Sequence, residues 1–509
     1  MASTSPRSPS GFEKLPAELY DEIFSHLPEP LEVNDQYSGP VTNRVINDYE
    51  MHGFEYLKGV RRDFRGYLQL YYLKLRLVSR AFNRAITRVW FQNEFLILRA
   101  FDYTGMFTNE EMAQPGNLDR RIIMPNSVNN INNFILQGQL LPQVLRRLRL
   151  EFSTYDSWHR ERIQWLEPDC PESHPADRES LLAFLKVLPS ALEKLERLEC
   201  LWLNLTESWG SDYGGSGDGS APQLDLVAVN ELRNSLCSLF SPSYGHNFPF
   251  LTELRLALPC TYDFAVLNKA MSDEATRRLR HLYLEYVDAT GAGGDNSYLL
   301  WAEDENGYDG DEGFPPSNLQ EKYLNYDYMP DICILVGRCS NLESLGLHAT
   351  HYLNLDELDW KPSGTGLRNI YIYRAMVHFD TLKKLLSAAD GESSNIIAMK
   401  LGYVQLLDHA WVEIFDHLLR ADAMKYFSIE DLNYAHRGGS AHLRAFNCRL
   451  WENCNTIWTE NAVDQDRLQD IVKKILDAGG LVGRGLDDVA GQAGYDTNHP
   501  NSLNLISEW

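Results

Sequence analysis

A short apolar motif recurs along most of this chain. It reads apolar, two residues, apolar, one residue, apolar. It falls at Leu145/Leu148/Leu150, Leu198/Leu201/Leu203, Leu251/Leu254/Leu256 and Leu279/Leu282/Leu284. It returns at Leu342/Leu345/Leu347, Leu367/Ile370/Ile372, Ile396/Met399/Leu401 and Met424/Phe427/Ile429. The last two apolar residues of each triplet alternate as one face of a strand does, so each triplet predicts a β-strand. Phe95/Ile97 starts the series. Between the triplets apolar residues take helical spacing, which predicts helices over 180–188, 224–240, 264–279, 332–339, 379–389 and 411–419. A last helix is expected over 463–478, stopped by Gly479-Gly480.

Strands alternating with helices predict an α/β chain. Each strand–helix unit leaves an apolar face that only its neighbours can bury, so stacking is the economical arrangement. The steps from Leu342 to Leu367, Leu367 to Ile396 and Ile396 to Met424 have the length of leucine-rich repeats, while those from Leu145 to Leu198, Leu198 to Leu251 and Leu279 to Leu342 are about double. Residues 144–431 resemble the divergent leucine-rich repeats found behind the F-box in many receptors. The resemblance implies an irregular solenoid, a horseshoe, although the family's Asn or Cys after the second leucine pair is mostly missing. The competing reading is a non-repetitive α/β domain with buried parallel strands.

Residues 11–28, GFEKLPAELYDEIFSHLP, repeat Leu15, Leu19, Ile23 and Leu27 at every fourth position, with Phe24 beside Ile23. That spacing draws one apolar stripe on a short helix. Pro16 suits its first turn and Pro28 its end. In residues 75–91, LRLVSRAFNRAITRVWF, Ser79 can cap a helix carrying Phe82, Ile86 and Val89 on one face. Together these pieces resemble the F-box. The resemblance implies a module docking a Skp-type adaptor of a cullin-based ubiquitin ligase. Carried over position by position, it implies that Leu15, Pro16, Leu19, Ile23, Phe24, Leu27, Leu75, Leu77, Val78 and Phe82 face the adaptor. The departure is the segment 29–74, where the family has a short loop. The plainer reading of both pieces is an amphipathic hairpin packed on its own domain.

The expected organisation is a disordered tail over 1–10, an F-box over 11–91 with its insertion at about 29–74, and a repeat domain over 92–460. That domain carries Gly-rich and acidic loops at 210–221 and 291–316. A capping helix over 461–484 and a disordered tail over 485–509 complete it. The formal charge of −24 argues against a nucleic-acid partner, which needs a basic surface. No apolar run approaches a membrane span, and MASTSPRSPS has no signal core. The eight cysteines form no Cys-x-x-Cys pair, consistent with reduced thiols and a cytoplasmic or nuclear location.

Catalytic motifs are missing from the sequence. It has no Gly-x-Ser-x-Gly elbow, phosphate loop or kinase signature. His348-x-x-His351 is the nearest thing to a metal pair, and two histidines without further ligands are weak. No metal, cofactor or catalytic residue is therefore expected; an enzyme reading rests only on the Trp- and Cys-bearing segment 433–458. In the horseshoe that the repeat resemblance implies, positions between the strand leucines face the sheet's concave side. They include Trp202, Arg255, Tyr283, His348, Tyr371, Tyr373 and Tyr426, the residues expected to touch a target. The expected function is the non-catalytic substrate-recognition subunit of a Skp/cullin/F-box ligase. The alternative is a repeat scaffold that joins no ligase.

Overall fold

The computed structural model describes residues 96–99, 122–124, 131–137, 141–151, 175–204, 225–241, 248–286, 318–361, 364, 366–430, 432–434, 457, 459, 461–478 and 481–482. The F-box resemblance at 11–91, both tails and the loops at 210–221 and 291–316 lie outside them. The strands are β1 Leu96–Arg99, β2 Ile122–Met124, β3 Arg147–Glu151, β4 Cys200–Asn204, β5 Glu253–Leu258 and β6 His281–Tyr286. They continue as β7 Ser344–Asn354, β8 Asn369–Val377, β9 Ala398–Leu406, β10 Tyr426–Glu430, β11 Asn433–Tyr434 and β12 Leu481–Val482. All join one sheet in the order β2-β1-β3-β4-β5-β6-β7-β8-β9-β10-β12, with β11 beside β9. Every pairing is parallel.

The triplets explain the register. Leu148, Leu201, Leu254, Leu282, Leu345, Ile370, Met399 and Phe427 are successive partners across eight strands. Leu150, Leu203, Leu256, Leu284, Leu347, Ile372, Leu401 and Ile429 form the next row. Both rows are buried, as is the leading apolar residue of each triplet, from Leu145 to Met424. Full burial of such a side chain is worth about 1.5–3 kcal/mol.

The helices supply the other wall of this core. The longer ones are α1 Pro175–Glu193, α2 Leu226–Phe240, α3 Tyr262–Ala270, α4 Pro330–Arg338, α5 Phe379–Leu386, α6 Trp411–Leu418 and α7 Ala462–Asp477. They contact one another in a row: α1 on α2, α2 on α3, α3 on α4, α5 on α6 and α6 on α7. Asp225 starts α2 by accepting the Val227 N–H at 2.9 Å, and Pro330 opens α4, where a missing N–H costs nothing.

The α/β class stands, but the leucine-rich-repeat horseshoe does not. In its place is a single twelve-stranded, all-parallel sheet with a row of helices and no constant repeating unit. Successive strands start at residues 344 and 369 in one case but at 281 and 344 in another. These helices range from the eight residues of α5 and α6 to the nineteen of α1. The triplet predicts where a strand lies, yet it leaves the length of each connection open, and a regular solenoid depends on that length.

Two buried polar clusters brace the helix row. On α2, Arg233 pairs with Asp263 of α3 and reaches Cys260 Sγ at 3.2 Å, with its guanidinium over the Tyr262 and Tyr323 rings. At the far end Asp464, fully buried on α7, accepts the Val412 N–H at 2.7 Å and the Tyr434 and Thr459 hydroxyls at 2.6 Å each. One carboxylate thus joins α7, the start of α6 and β11. Replacing Asp464 by Ala leaves those buried donors unmatched. We expect Asp464→Ala to lower the unfolding free energy by about 3 kcal/mol, read as a shift of the urea midpoint.

Candidate protein-interaction face

Residues between the strand leucines fall on the sheet face opposite the core rows. The parallel register aligns them across strands. One row runs Arg149, Trp202, Arg255, Tyr283, Gly346, Tyr371, Lys400 and Ser428. The next contains Glu285, His348, Tyr373, Gly402 and Glu430. The row nearest the strand starts holds Arg147, Cys200, Glu253, His281, Ser344, Asn369, Ala398 and Tyr426.

Six of the seven expected target-contact residues are contiguous. The Trp202 ring lies between Arg149, 3.9 Å away, and Arg255, 5.1 Å away, a cation–π arrangement on both sides. Glu253 holds Arg255, whose Nε donates to it at 2.8 Å, and also meets Arg147 at 3.6 Å. The Tyr283 and Tyr371 rings approach to 5.9 Å although Gly346 separates them in the register. His348 stands edge-on to Tyr373 at 4.6 Å and to Tyr371 at 5.8 Å. Tyr426 is set apart, two strands beyond Tyr371 and one row nearer the strand starts. The adaptor-facing set, Leu15, Pro16, Leu19, Ile23, Phe24, Leu27, Leu75, Leu77, Val78 and Phe82, lies outside the described residues.

Two members of this face are not apparent from the triplets. Along β8, Ile370 and Ile372 face the core, and then Ala375 and Val377 do. Along β9 the same slip separates Met399 and Leu401 from Val404 and Leu406. The extra residue in each strand is Arg374 or Tyr403, held at φ 61° and 52°. Side chains rarely adopt that left-handed region, and it re-aims them as a bulge does. Arg374 thereby comes to 5.5 Å from the Tyr373 ring and 5.7 Å from Tyr403. The signal in the sequence is the one-residue phase slip, which occurs at matching places in adjacent strands.

Burial sets the ionisation of the cluster. It holds the His348 imidazole well below its usual range, and Arg374 and Lys400 push the same way. With His348 neutral, its 3.9 Å approach to Glu285 is a dipole contact rather than an ion pair. Burial also pushes the Tyr283 and Tyr373 phenols well up, aided by Glu285 and Glu430 respectively. The rings therefore present neutral polar edges, with Arg374, Lys400, Glu285 and Glu430 beside them.

Among the described residues no group of three or more His, Cys, Asp and Glu could hold a metal ion. His351, the partner proposed for His348, has a side chain outside the described set. Burial raises the thiols of Cys237 and Cys260, and lifts those of Cys333 and Cys339 to about 12. Thiols so placed are poor nucleophiles. Among the described residues no helix is long and apolar enough to cross a membrane. Compared with known families and curated proteins, the chain matches no family model and no curated protein.

Two predictions follow from this packing. The unfolded imidazole gains its proton near pH 6.5, whereas folded His348 does so only at much lower pH. Between those points the unfolded chain binds more protons, so stability falls as pH drops below that value. Denaturation series from about pH 7 to pH 5 will show His348→Gln flattening that slope by up to about 1 kcal/mol per pH unit. Secondly, a Cβ at Gly402 would fall onto the Tyr373 ring. Gly402→Ala will displace that ring, which a change in the Tyr373 side-chain NMR signals will report, at a cost of about 1–3 kcal/mol.

Proposed function

We propose that this chain is a substrate receptor of a Skp/cullin/F-box ubiquitin ligase, and that the polar face of its sheet binds the target protein. The observation that supports target binding is the aligned row of Arg149, Trp202, Arg255, Tyr283 and Tyr371. Arginine and aromatic side chains concentrated in one patch are the composition of interface hot spots. The F-box resemblance of 11–28 and 75–91 supports the adaptor half of the reading. Such a receptor needs no catalytic group of its own. It raises the effective concentration of the target beside an enzyme supplied by the complex.

The insertion at 29–74 favours a second reading, an interaction scaffold that joins no ligase. Co-purification of the full chain with a Skp-type adaptor separates the two. Under the ligase reading the adaptor is retained, and Leu19→Asp combined with Ile23→Asp abolishes retention while target capture survives. Failure of the intact chain to hold the adaptor, or indifference to that double substitution, leaves the scaffold.

A further inference from the structure

At the strand-start edge of the sheet, on its helix side, the surface opens into a recess of about 260 Å³. The end of α1 and the turn after it supply Leu192, Glu193, Leu195 and Glu196. The turn before β5 supplies Phe248, Pro249 and Phe250. The floor is apolar core, with Leu192 and Leu195 fully buried and Phe248 nearly so. The rim is open to water. Glu193, Glu196 and Pro249 are exposed, and Phe250 is 54% exposed.

Two local turns build this arrangement. After α1 the Leu195 N–H donates to the Leu192 carbonyl at 2.9 Å, and both leucines are buried. Across the recess Phe248 is held at φ 33°, in the left-handed region that a bulky residue rarely adopts. Its ring lies inside, edge-on to Phe240 at 6.1 Å. The Leu251 N–H closes the turn on the Phe248 carbonyl at 2.9 Å, and Phe250 stays outside. An exposed ring adds little to fold stability, and strained backbone of this kind clusters at ligand clamps.

The charged side chains lining the recess are both carboxylates, Glu193 and Glu196. They sit at and just beyond the C-terminal end of α1, where the helix dipole is negative and the last turn holds no basic residue. Lys194 and Arg197 belong to the same turn but do not line the recess. The whole chain carries −24. The local and the overall field therefore both favour a cation here.

We propose that this recess docks a short segment of a basic partner protein. One phenylalanine or leucine side chain of that segment enters beside Phe250, and a neighbouring lysine or arginine meets Glu193 and Glu196. A closed cavity of about 150 Å³ accepts a benzene ring, so 260 Å³ has room for one such side chain. A second copy of this chain would bring the same −24 charge and is disfavoured as occupant. The floor of the recess is core, on the side of the sheet opposite the polar rows, so the proposal is independent of the ligase reading.

The probe is a fluorescein-labelled pentapeptide with phenylalanine between two lysines on each side. It is titrated with the full chain and followed by fluorescence anisotropy. Control peptides replace the phenylalanine by alanine, or every lysine by glutamate. Charge alone attracts any lysine peptide to so acidic a chain, so the alanine control isolates the recess. The phenylalanine peptide is expected to bind about tenfold tighter than the alanine one. Phe250→Ala is expected to remove that advantage. Glu193→Gln with Glu196→Gln is expected to weaken the phenylalanine peptide about tenfold. Thermal unfolding verifies that the variants fold; the comparison of peptides needs no variant and stands if they do not. Sedimentation velocity of the chain alone, with and without Phe250→Ala, reads self-association. Equal affinity for the phenylalanine and alanine peptides, no measurable binding of either, or tighter binding of the glutamate peptide overturns the proposal. So does binding that either folded variant leaves unchanged, or a dimer that Phe250→Ala dissolves.

Discussion

The sheet depends on a line of backbone carbonyls at the starts of its strands. The Arg146 carbonyl accepts both the Glu199 and Cys200 N–H groups, at 2.7 and 2.9 Å. The Glu199 carbonyl does the same for Thr252 and Glu253, and the pattern repeats at Thr252, Arg280, Glu343, Arg368 and Ile397. Each strand is thereby pinned to the same starting level as its neighbour. A parallel strand cannot find its partner through a tight hairpin, so register has to be set by contacts distant in sequence. The buried apolar residue just before each strand and this shared carbonyl fix it together. A slip of one residue would turn an entire leucine row outward.

Common register has a consequence on the opposite face. Residues in equivalent positions become neighbours although 53 or 63 positions separate them in the chain, as the contacts of Arg146 with Glu199 and of His281 with Ser344 show. The ladder that buries the leucines therefore also assembles Arg149, Trp202, Arg255, Tyr283 and Tyr371 into one patch. Connection length does not enter this geometry. Long excursions between β6 and β7 leave Tyr283 and Gly346 paired as closely as strands joined by short ones.

That separation decides what could be read from sequence. The positions of β3 to β10 were legible because i, i+2 alternation after a leading apolar residue has a strong physical cause, a single apolar face; β1 was read one residue out of phase, since Leu96 and Leu98 rather than Phe95 and Ile97 join the core rows. Most of the polar rows follow directly from the same alternation. The departure from a horseshoe was not legible, because the triplets carry no information on connection length and the chain varies it widely. Arg374 and Tyr403 escaped for a related reason: alternation assumes an unbroken pleat, and each strand inserts one residue there. Ile372 followed by Ala375, and Leu401 followed by Val404, record that insertion. A reading by rows shows it; a reading by triplets ends before it.

The polar rows also bear on why the face exists. Arg255 is 2% exposed and Glu253 3%, and Arg149 and Lys400 are buried as well. Removing such groups from water costs several kcal/mol per ion, and their mutual attraction only partly offsets it. Apolar replacements of similar size often leave a fold as stable or more so. Fold stability alone therefore gives no reason for stacking guanidinium groups on Trp202, or for holding Arg374 in a strained backbone conformation. The leucine rows on the other face already close the core. What the charged rows add is direction: fixed donors and rings at set spacing, arranged before any partner arrives. Preorganisation of that kind reduces the entropy lost on association, which is the physical ground for the proposed role of the polar face in recognition.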